Sequence, residues 1–274
     1  MKQIIYHYSN YEGGCEMKDC KPLIPKTIHY CWFGQSEKPK IVQECIKSWK
    51  KNLSDYEIIE WNESNFDIQS HPFTKAAYEI GNYAFVSDYV RVYALYNYGG
   101  IYLDTDTEIY KSLDPFLTEY SFWGFEEKNF IATSLIGACP QNNIIGQFLR
   151  FYDSVQLINE QGEVKKFTNV SVVTDMLSRK GIKLDGTYQR IEREITIYPQ
   201  EYFSPYDYIN CYMKSTENTY AVHHFHKSWL PISTRIKSSL KKCLAKLIGG
   251  YRLAAMRKFK DSLLQKRGTF NEKG

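Results

Sequence analysis

The chain has 274 residues, 43% hydrophobic and 24% charged, the balance of an ordinary globular protein with room for one large or two small domains. Its seven cysteines are odd in number and include no C-x-x-C pair, which argues against a disulfide framework or a zinc site and for a reducing, cytoplasmic setting. The net charge of +4 hides an asymmetry: residues 233–274 hold 12 Lys and Arg against 2 Asp and Glu, leaving −6 on the rest, so the body is no nucleic-acid binder while the tail asks for an anionic partner.

The opening MKQIIYHYSNYEGGC lacks the apolar stretch of a signal peptide, and no apolar run approaches the roughly 18 residues of a membrane span. Residues 24–34 (IPKTIHYCWFG) read as a strand stopped at Gly34. Residues 38–52 read as a helix, with Pro39 near its start, an apolar stripe of Ile41, Val42, Cys45, Ile46 and Trp49, and lysines at its end. Residues 56–62 form a second predicted strand. Residues 83–98 form a helix halted by Gly99 and Gly100, and residues 101–104 (IYLD) a short strand. A further strand covers 130–140, ended by Pro140, followed by helices over 142–156 and 169–182 and strands over 195–199 and 219–225. Strands alternating with helices predict an α/β layer fold.

The chemistry concentrates in IYLDTD. If the strand continues through it, Tyr102, Asp104 and Asp106 point to one side and Thr105 to the other. Ile101 and Leu103 make the strand's start buried, and ligands of α/β sheets bind beyond the carboxyl ends of strands. Two neighbouring carboxylates repel unless a proton or cation lies between them. Hard oxygen ligands select Mg²⁺ or Mn²⁺, which neutralises a leaving diphosphate. A lone D-x-D has little specificity and is more often a solvated turn after a strand. The preceding helix carries Asp88 and Arg91, spaced i and i+3 and so on one face: either an intrahelical ion pair or a rigid polar clamp for a ligand.

The stretch FVSDYVRVYALYNYGGIYLDTD resembles the signature of DXD-dependent sugar transferases of glycosyltransferase family 32, and the related catalytic domain of the large glucosylating bacterial toxins. IPKTIHYCWFG is similar to their first strand, and YAVHHFHKSW to their closing segment, so the resemblance runs in order from Ile24 to Trp229. It implies a GT-A-type catalytic domain over 1–232, with a central mixed sheet flanked by helices, and a retaining hexosyl transfer from a nucleoside-diphosphate sugar, most simply a UDP-sugar, to a carbohydrate or lipid-linked saccharide. By the same resemblance Trp32 stacks on the donor's base. Ser87, Asp88 and Arg91 meet its sugar, Tyr102 contacts the donor, and Ser228 and Trp229 lie by the metal and diphosphate. Asp104 and Asp106 hold Mn²⁺ or Mg²⁺, with His223 or His224 as a third ligand. Phe225 and Lys227 depart from the family pattern, which often has Trp and a small residue there.

Two other readings compete. A DxD phosphatase would have a Thr or Val two residues after the second Asp, where this chain has Glu108, and a second acidic motif downstream, which is absent. A non-catalytic sugar-binding or scaffold protein would not need Asp104 and Asp106 beside Asp88, Arg91 and a distant His-Ser-Trp cluster. The tail, 233–274, reads as a basic amphipathic helix with an apolar stripe including Ile236, Leu240, Leu244, Leu247 and Ile248, hinged at Gly249 and Gly250. Such a helix either docks its stripe on the protein's own body or a second copy, or lies on an anionic membrane surface; its charge density favours the membrane, on the cytoplasmic face, in surface-polysaccharide (capsule) assembly.

Overall fold

The computed structural model describes residues 21–127, 129–165, 167–226, 245, 247–250, 252 and 255. The chain opens with β1 (Thr27–Cys31), crosses over through α1 (Lys40–Asn52) and returns as β2 (Glu57–Trp61). α1 begins two residues later than the sequence predicts because Lys38 precedes Pro39 and is pushed toward extended backbone. It buries Val42, Cys45 and Trp49. Two helices follow, α2 (Pro72–Glu79) and α3 (Tyr83–Tyr98), then β3 (Gly100–Leu103) and the short β4 (Thr107–Ile109). α2 was not anticipated. Its cap is the ring of His71, which accepts from the Phe73 amide, with Pro72 in the first turn.

The second half brings β5 (Ser121–Glu127), β6 (Phe130–Ile131), β7 (Leu135–Ala138), α4 (Asn143–Asp153) and α5 (Asn169–Arg179). It ends with β8 (Gln189–Ile191), β9 (Ile195–Tyr198), α6 (Gln200–Phe203), the ribbon β10 (Tyr206–Asp207) and β11 (Tyr212–Met213), and β12 (Ala221–His223). The main sheet runs β2-β1-β3-β7-β5-β9-β8, with β6 on the flank of β5. β1 is parallel to β2 and β3, whereas β7 is antiparallel to both its neighbours. The α/β expectation therefore holds: a central mixed sheet with helices packed on it. One core lies beneath α2 to α5 and the other beneath α1 and α6.

One predicted strand is two. Residues 130–140 break at Ala132, Thr133 and Ser134, all buried, because the chain leaves β5 to enter the sheet beside β3. The aromatic β5, with Gly124 in its middle, shows no period-2 alternation because both faces are buried.

The glycine pair works as a hinge between α3 and β3. Both residues have positive φ, +67° at Gly99 and +97° at Gly100. A Cβ on Gly99 would lie 2.6 Å from Pro140, and one on Gly100 2.6 Å from the Thr27 carbonyl, so neither tolerates a side chain. His29 locks this turn. Its Nδ1 accepts from the Trp61 indole at 3.1 Å, so its Nε2–H donates to the Gly99 carbonyl at 2.8 Å. Burial drives its pKa down to about 4 and keeps the ring neutral.

Most of the predicted tail lies outside the described residues, as do Ser228, Trp229 and Lys227. Of what is described, Ala245 is buried, Leu247 is exposed, and Gly250 sits against Tyr212 and Asn210 of the β10–β11 ribbon. No helix among the described residues is long and apolar enough to cross a membrane.

Candidate active site

β3 ends at Leu103, and Asp104, Thr105 and Asp106 form a turn rather than a continued strand. Strict alternation therefore does not orient the two carboxylates. The turn is fixed instead by the Thr107 amide donating to the Asp104 carbonyl at 2.9 Å and the Asp104 amide to the Ser134 carbonyl at 2.8 Å. From below, the buried Trp49 indole donates to the Thr107 carbonyl at 2.7 Å, and Ser48 and Asn52 of α1 bond both backbone groups of Ile109. Helix α1 thus carries the motif turn on its back.

β4 then pairs antiparallel with β12, placing Thr107 opposite His223 and Glu108 opposite Val222. This ladder delivers the distant histidine to the aspartates. His223 Nε2 lies 3.2 Å from Asp106 Oδ1 and 4.0 Å from Asp104 Oδ2. The other Asp106 oxygen accepts the His226 amide at 2.7 Å, and its carbonyl accepts the His224 amide at 3.0 Å. The sequence left His223 and His224 as equal candidates. The register separates them: the His224 ring shares the opposite face of the ribbon with Glu108, bonding its carboxylate at 2.9 Å. His224 is not among the converging groups.

Arg91 joins the helix to the motif. One terminal nitrogen lies 2.8 Å from Asp88 and 3.2 Å from Asp104, and the other donates to the Thr133 carbonyl at 2.6 Å. The pair spaced i and i+3 is thus both an intrahelical ion pair and a brace for the DXD turn. Its guanidinium lies over the Tyr102 ring, 4.6 Å from the centroid. Tyr102 is only 2% exposed, so it supports Arg91 from beneath. Ser87 turns its hydroxyl back to the Tyr83 carbonyl. Trp32 leaves the end of β1, the strand beside β3, and so stands at the same edge of the sheet as Asp104. It is half-buried, its indole donates to the Ser36 carbonyl, and Lys38 lies over its ring, anchored by Glu60.

Asp88 and Asp104 share the Arg91 guanidinium, and Asp106 pairs with His223. Burial pushes the Asp88 carboxyl up to about 7 against the pull of Arg91. Burial also opposes ionisation of Asp106, but His223 and the His226 amide hold its carboxyl well below the usual range. Burial disfavours a charged His223, yet Asp106 and Asp104 outweigh it and lift the imidazole to about 9. The carboxylates therefore strongly favour positive charge at the point where the three side chains meet.

A divalent cation fits that point. One ligand atom from each of Asp104, Asp106 and His223 lies within 4.8 Å of the others. Neighbouring ligands on an octahedral ion with bonds of about 2.1 Å sit about 3 Å apart, so a small inward movement brings all three to one ion. Two carboxylates supply the hard oxygen ligands that Mg²⁺ and Mn²⁺ take, and the imidazole completes the set.

Three contributors had escaped the sequence: the Thr133 and Ser134 carbonyls and the Trp49 indole. Backbone acceptors leave no trace in residue identity, and Trp49 reads as an ordinary member of an apolar helix stripe.

Residues 39–123 match the family described as "Glycosyltransferase sugar-binding region containing DXD motif". The chain is similar to inositol phosphoceramide mannosyltransferase 3 of Schizosaccharomyces pombe, 36% identical over 104 residues, 36% of this chain and 29% of that protein. It is 24% identical to inositol phosphoceramide mannosyltransferase 2 of the same yeast, over 76% of this chain and 59% of that one. The matched parts are thus less than two thirds of either yeast protein. An uncharacterized glycosyltransferase of Acanthamoeba polyphaga mimivirus is 25% identical, over 76% of this chain and 85% of that one. Among solved structures, the PaToxG glycosyltransferase aligns with a TM-score of 0.43 at 17% identity, over 57% of this chain and 70% of that one.

Proposed function

We propose that this chain, which carries a DXD-type glycosyltransferase sugar-binding region over residues 39–123, is a metal-dependent hexosyltransferase acting on a nucleoside-diphosphate sugar. The observation that carries this reading is the meeting of Asp104, Asp106 and His223 at the carboxyl edge of β3, beside the Arg91–Asp88 pair. Mn²⁺ or Mg²⁺ held by those three residues supplies charge neutralisation for the leaving diphosphate. The protein's own part is positioning. Thr133 and Asp88 hold the Arg91 fork in one geometry, so it meets the donor without reorganising. The Asp88 carboxylate offers acceptor oxygens to the hydroxyls of the hexose. Trp32 offers a platform for the base at the same edge, and Ser228 and Trp229 are assigned to the diphosphate by their place in the closing motif.

A mannosyl group is a strong candidate for the hexose, because the yeast relatives are named as mannosyltransferases. Retention of configuration follows from the family resemblance. Asp104 and Asp106 are committed to the cation, which leaves a front-face route in which the donor's diphosphate takes the acceptor's proton. The acceptor is a carbohydrate or lipid-linked saccharide of a surface polysaccharide. The basic tail brings the enzyme to the anionic cytoplasmic face of the membrane. Support for that last step is the surplus of cations in residues 233–274. Sedimentation of the full chain with anionic but not neutral vesicles, lost at high salt, is the expected result.

The activity is tested with a panel of UDP- and GDP-hexoses and Mn²⁺. The expected result is release of nucleoside diphosphate from one donor, stopped by chelator and restored by Mn²⁺. Undiminished release in chelator would overturn the metal reading, and release of inorganic phosphate from phosphate esters instead would favour the phosphatase.

A further inference from the structure

We propose that Phe225 is a positioning residue for His223: its ring holds the imidazole so that Nε2 faces Asp104 and Asp106. The inference rests on the metal reading above and adds the group that orients the third ligand.

Metal-binding histidines ordinarily fix their ring by donating the second nitrogen to a carboxylate or carbonyl, and losing that support weakens metal binding about 10- to 100-fold. Among the described residues His223 has no such support. Its Nδ1 is buried and has no hydrogen-bond partner among the described residues. Packing must then fix the ring. The Phe225 ring lies with its centroid 4.0 Å from that of the imidazole, at an interplanar angle of 38°. Its other neighbours are Tyr208, at 4.6 Å, and Tyr206, at 6.4 Å. The imidazole is therefore backed by Phe225, which is itself packed against two tyrosine rings of the β10 region.

The backbone is bent to make this contact. Side chains two apart on an extended strand share a face about 6.6 Å apart, wider than the 4.0 Å between these ring centroids. Phe225 instead has φ +50°, in the left-handed region that a bulky residue rarely adopts. The reversal brings the Phe225 ring beneath His223. It also turns the His226 amide back onto Asp106 Oδ2 at 2.7 Å. One strained residue thus orients two of the three ligands, one by its ring and one by its turn. Phe225 is 8% exposed and is not itself a ligand.

The test is Mn²⁺ binding to the full chain, read by the EPR signal of free Mn²⁺, with melting measured in chelator on the same samples. Phe225→Tyr keeps a ring and should bind Mn²⁺ within about twofold of wild type. Phe225→Leu and Phe225→Gly lose it and should bind about tenfold more weakly or worse. Glycine relieves the left-handed strain, so its affinity should fall even where its melting point does not, and it serves if the leucine variant folds poorly. In a His223→Gln background, Phe225→Leu should have no further effect on Mn²⁺ affinity. Wild-type affinity in Phe225→Gly, or an equal loss on adding Phe225→Leu to His223→Gln, would overturn the assignment while leaving the metal site standing. Failure of wild type itself to bind Mn²⁺, with or without nucleoside diphosphate, would overturn the metal reading and this inference together.

Discussion

The two halves of the site are built on opposite plans. On the helix side, Asp88 and Arg91 come from one rigid turn of α3, and the guanidinium is spent on partners: Asp88, Asp104 and the Thr133 carbonyl. On the ribbon side, Asp106 and His223 come from a turn and a strand end 117 positions apart, held by a three-pair ladder and a strained reversal at Phe225. In the first half the charged groups support one another. In the second, Asp106 and the neighbouring Asp104 draw positive charge to one point, supplied by the His223 proton and open to a cation in its place. A site divided this way separates stability from chemistry residue by residue: losing Arg91 should damage the fold, and losing a ribbon ligand should damage turnover.

The largest expected effect lies on the ribbon side. Asp106→Asn keeps the size of the side chain and its bond from the His226 amide, but removes a charged ligand. Donor turnover should fall roughly 100-fold or more, far beyond the modest loss of melting point in chelator that losing the Asp106–His223 pair brings. A variant that stays active in chelator would break the comparison at its root.

The helix side should respond the other way. Arg91→Met leaves Asp88 and Asp104 buried without their shared cation, which costs about 3–5 kcal/mol in comparable pairs. Urea unfolding at pH 8 reads this directly. Asp88→Asn, by contrast, removes a carboxyl that burial already pushes up to about 7. It should leave stability at pH 8 equal or higher while weakening donor binding. A large loss of stability in Asp88→Asn would show that the pair is structural first.

Trp32 belongs to neither half and tests the reach of the site. Stacking on a base is worth about 1–3 kcal/mol, so Trp32→Ala should weaken donor affinity about tenfold. Loss of melting temperature with unchanged donor affinity would return Trp32 to the core beneath Lys38.

The smallest effect is a pH dependence that sharpens the contrast. The His223 imidazole is lifted from 6.5 to about 9. A group raised on folding contributes stability that is complete below its unfolded pKa and is lost as pH rises through the folded one. The chelated protein should therefore lose a few degrees of melting temperature between pH 6.5 and 9. His223→Gln should flatten that slope, and Mn²⁺, which replaces the proton, should flatten it as well. A slope unchanged in His223→Gln would place the titration elsewhere.

Much of the helix half was legible in the sequence because local rules write it. The apolar run into Gly99 and Gly100 announces both the end of α3 and the start of β3, and both glycines prove unable to carry a Cβ. The i and i+3 spacing placed Asp88 and Arg91 together, though not on Asp104. The ribbon half was less legible because long-range register writes it. A slip of one residue exchanges His223 for His224, and only the pairing of β12 with β4 decides between them. The break at Thr133 and Ser134 was hidden for the same reason. Their value lies in carbonyls aimed at Arg91 and Asp104, which any residue possesses. β5 was missed because an aromatic strand buried on both faces has no alternation to detect.

The central claim, that Asp104, Asp106 and His223 hold one cation, is tested most directly by the electron spin echo modulation of bound Mn²⁺. The full chain with Mn²⁺ and a nucleoside diphosphate should show coupling to one imidazole nitrogen. That coupling should vanish in His223→Gln and persist in His224→Gln. Coupling that survives His223→Gln and disappears in His224→Gln, or a bound Mn²⁺ with no nitrogen coupling in the wild type, would contradict the account.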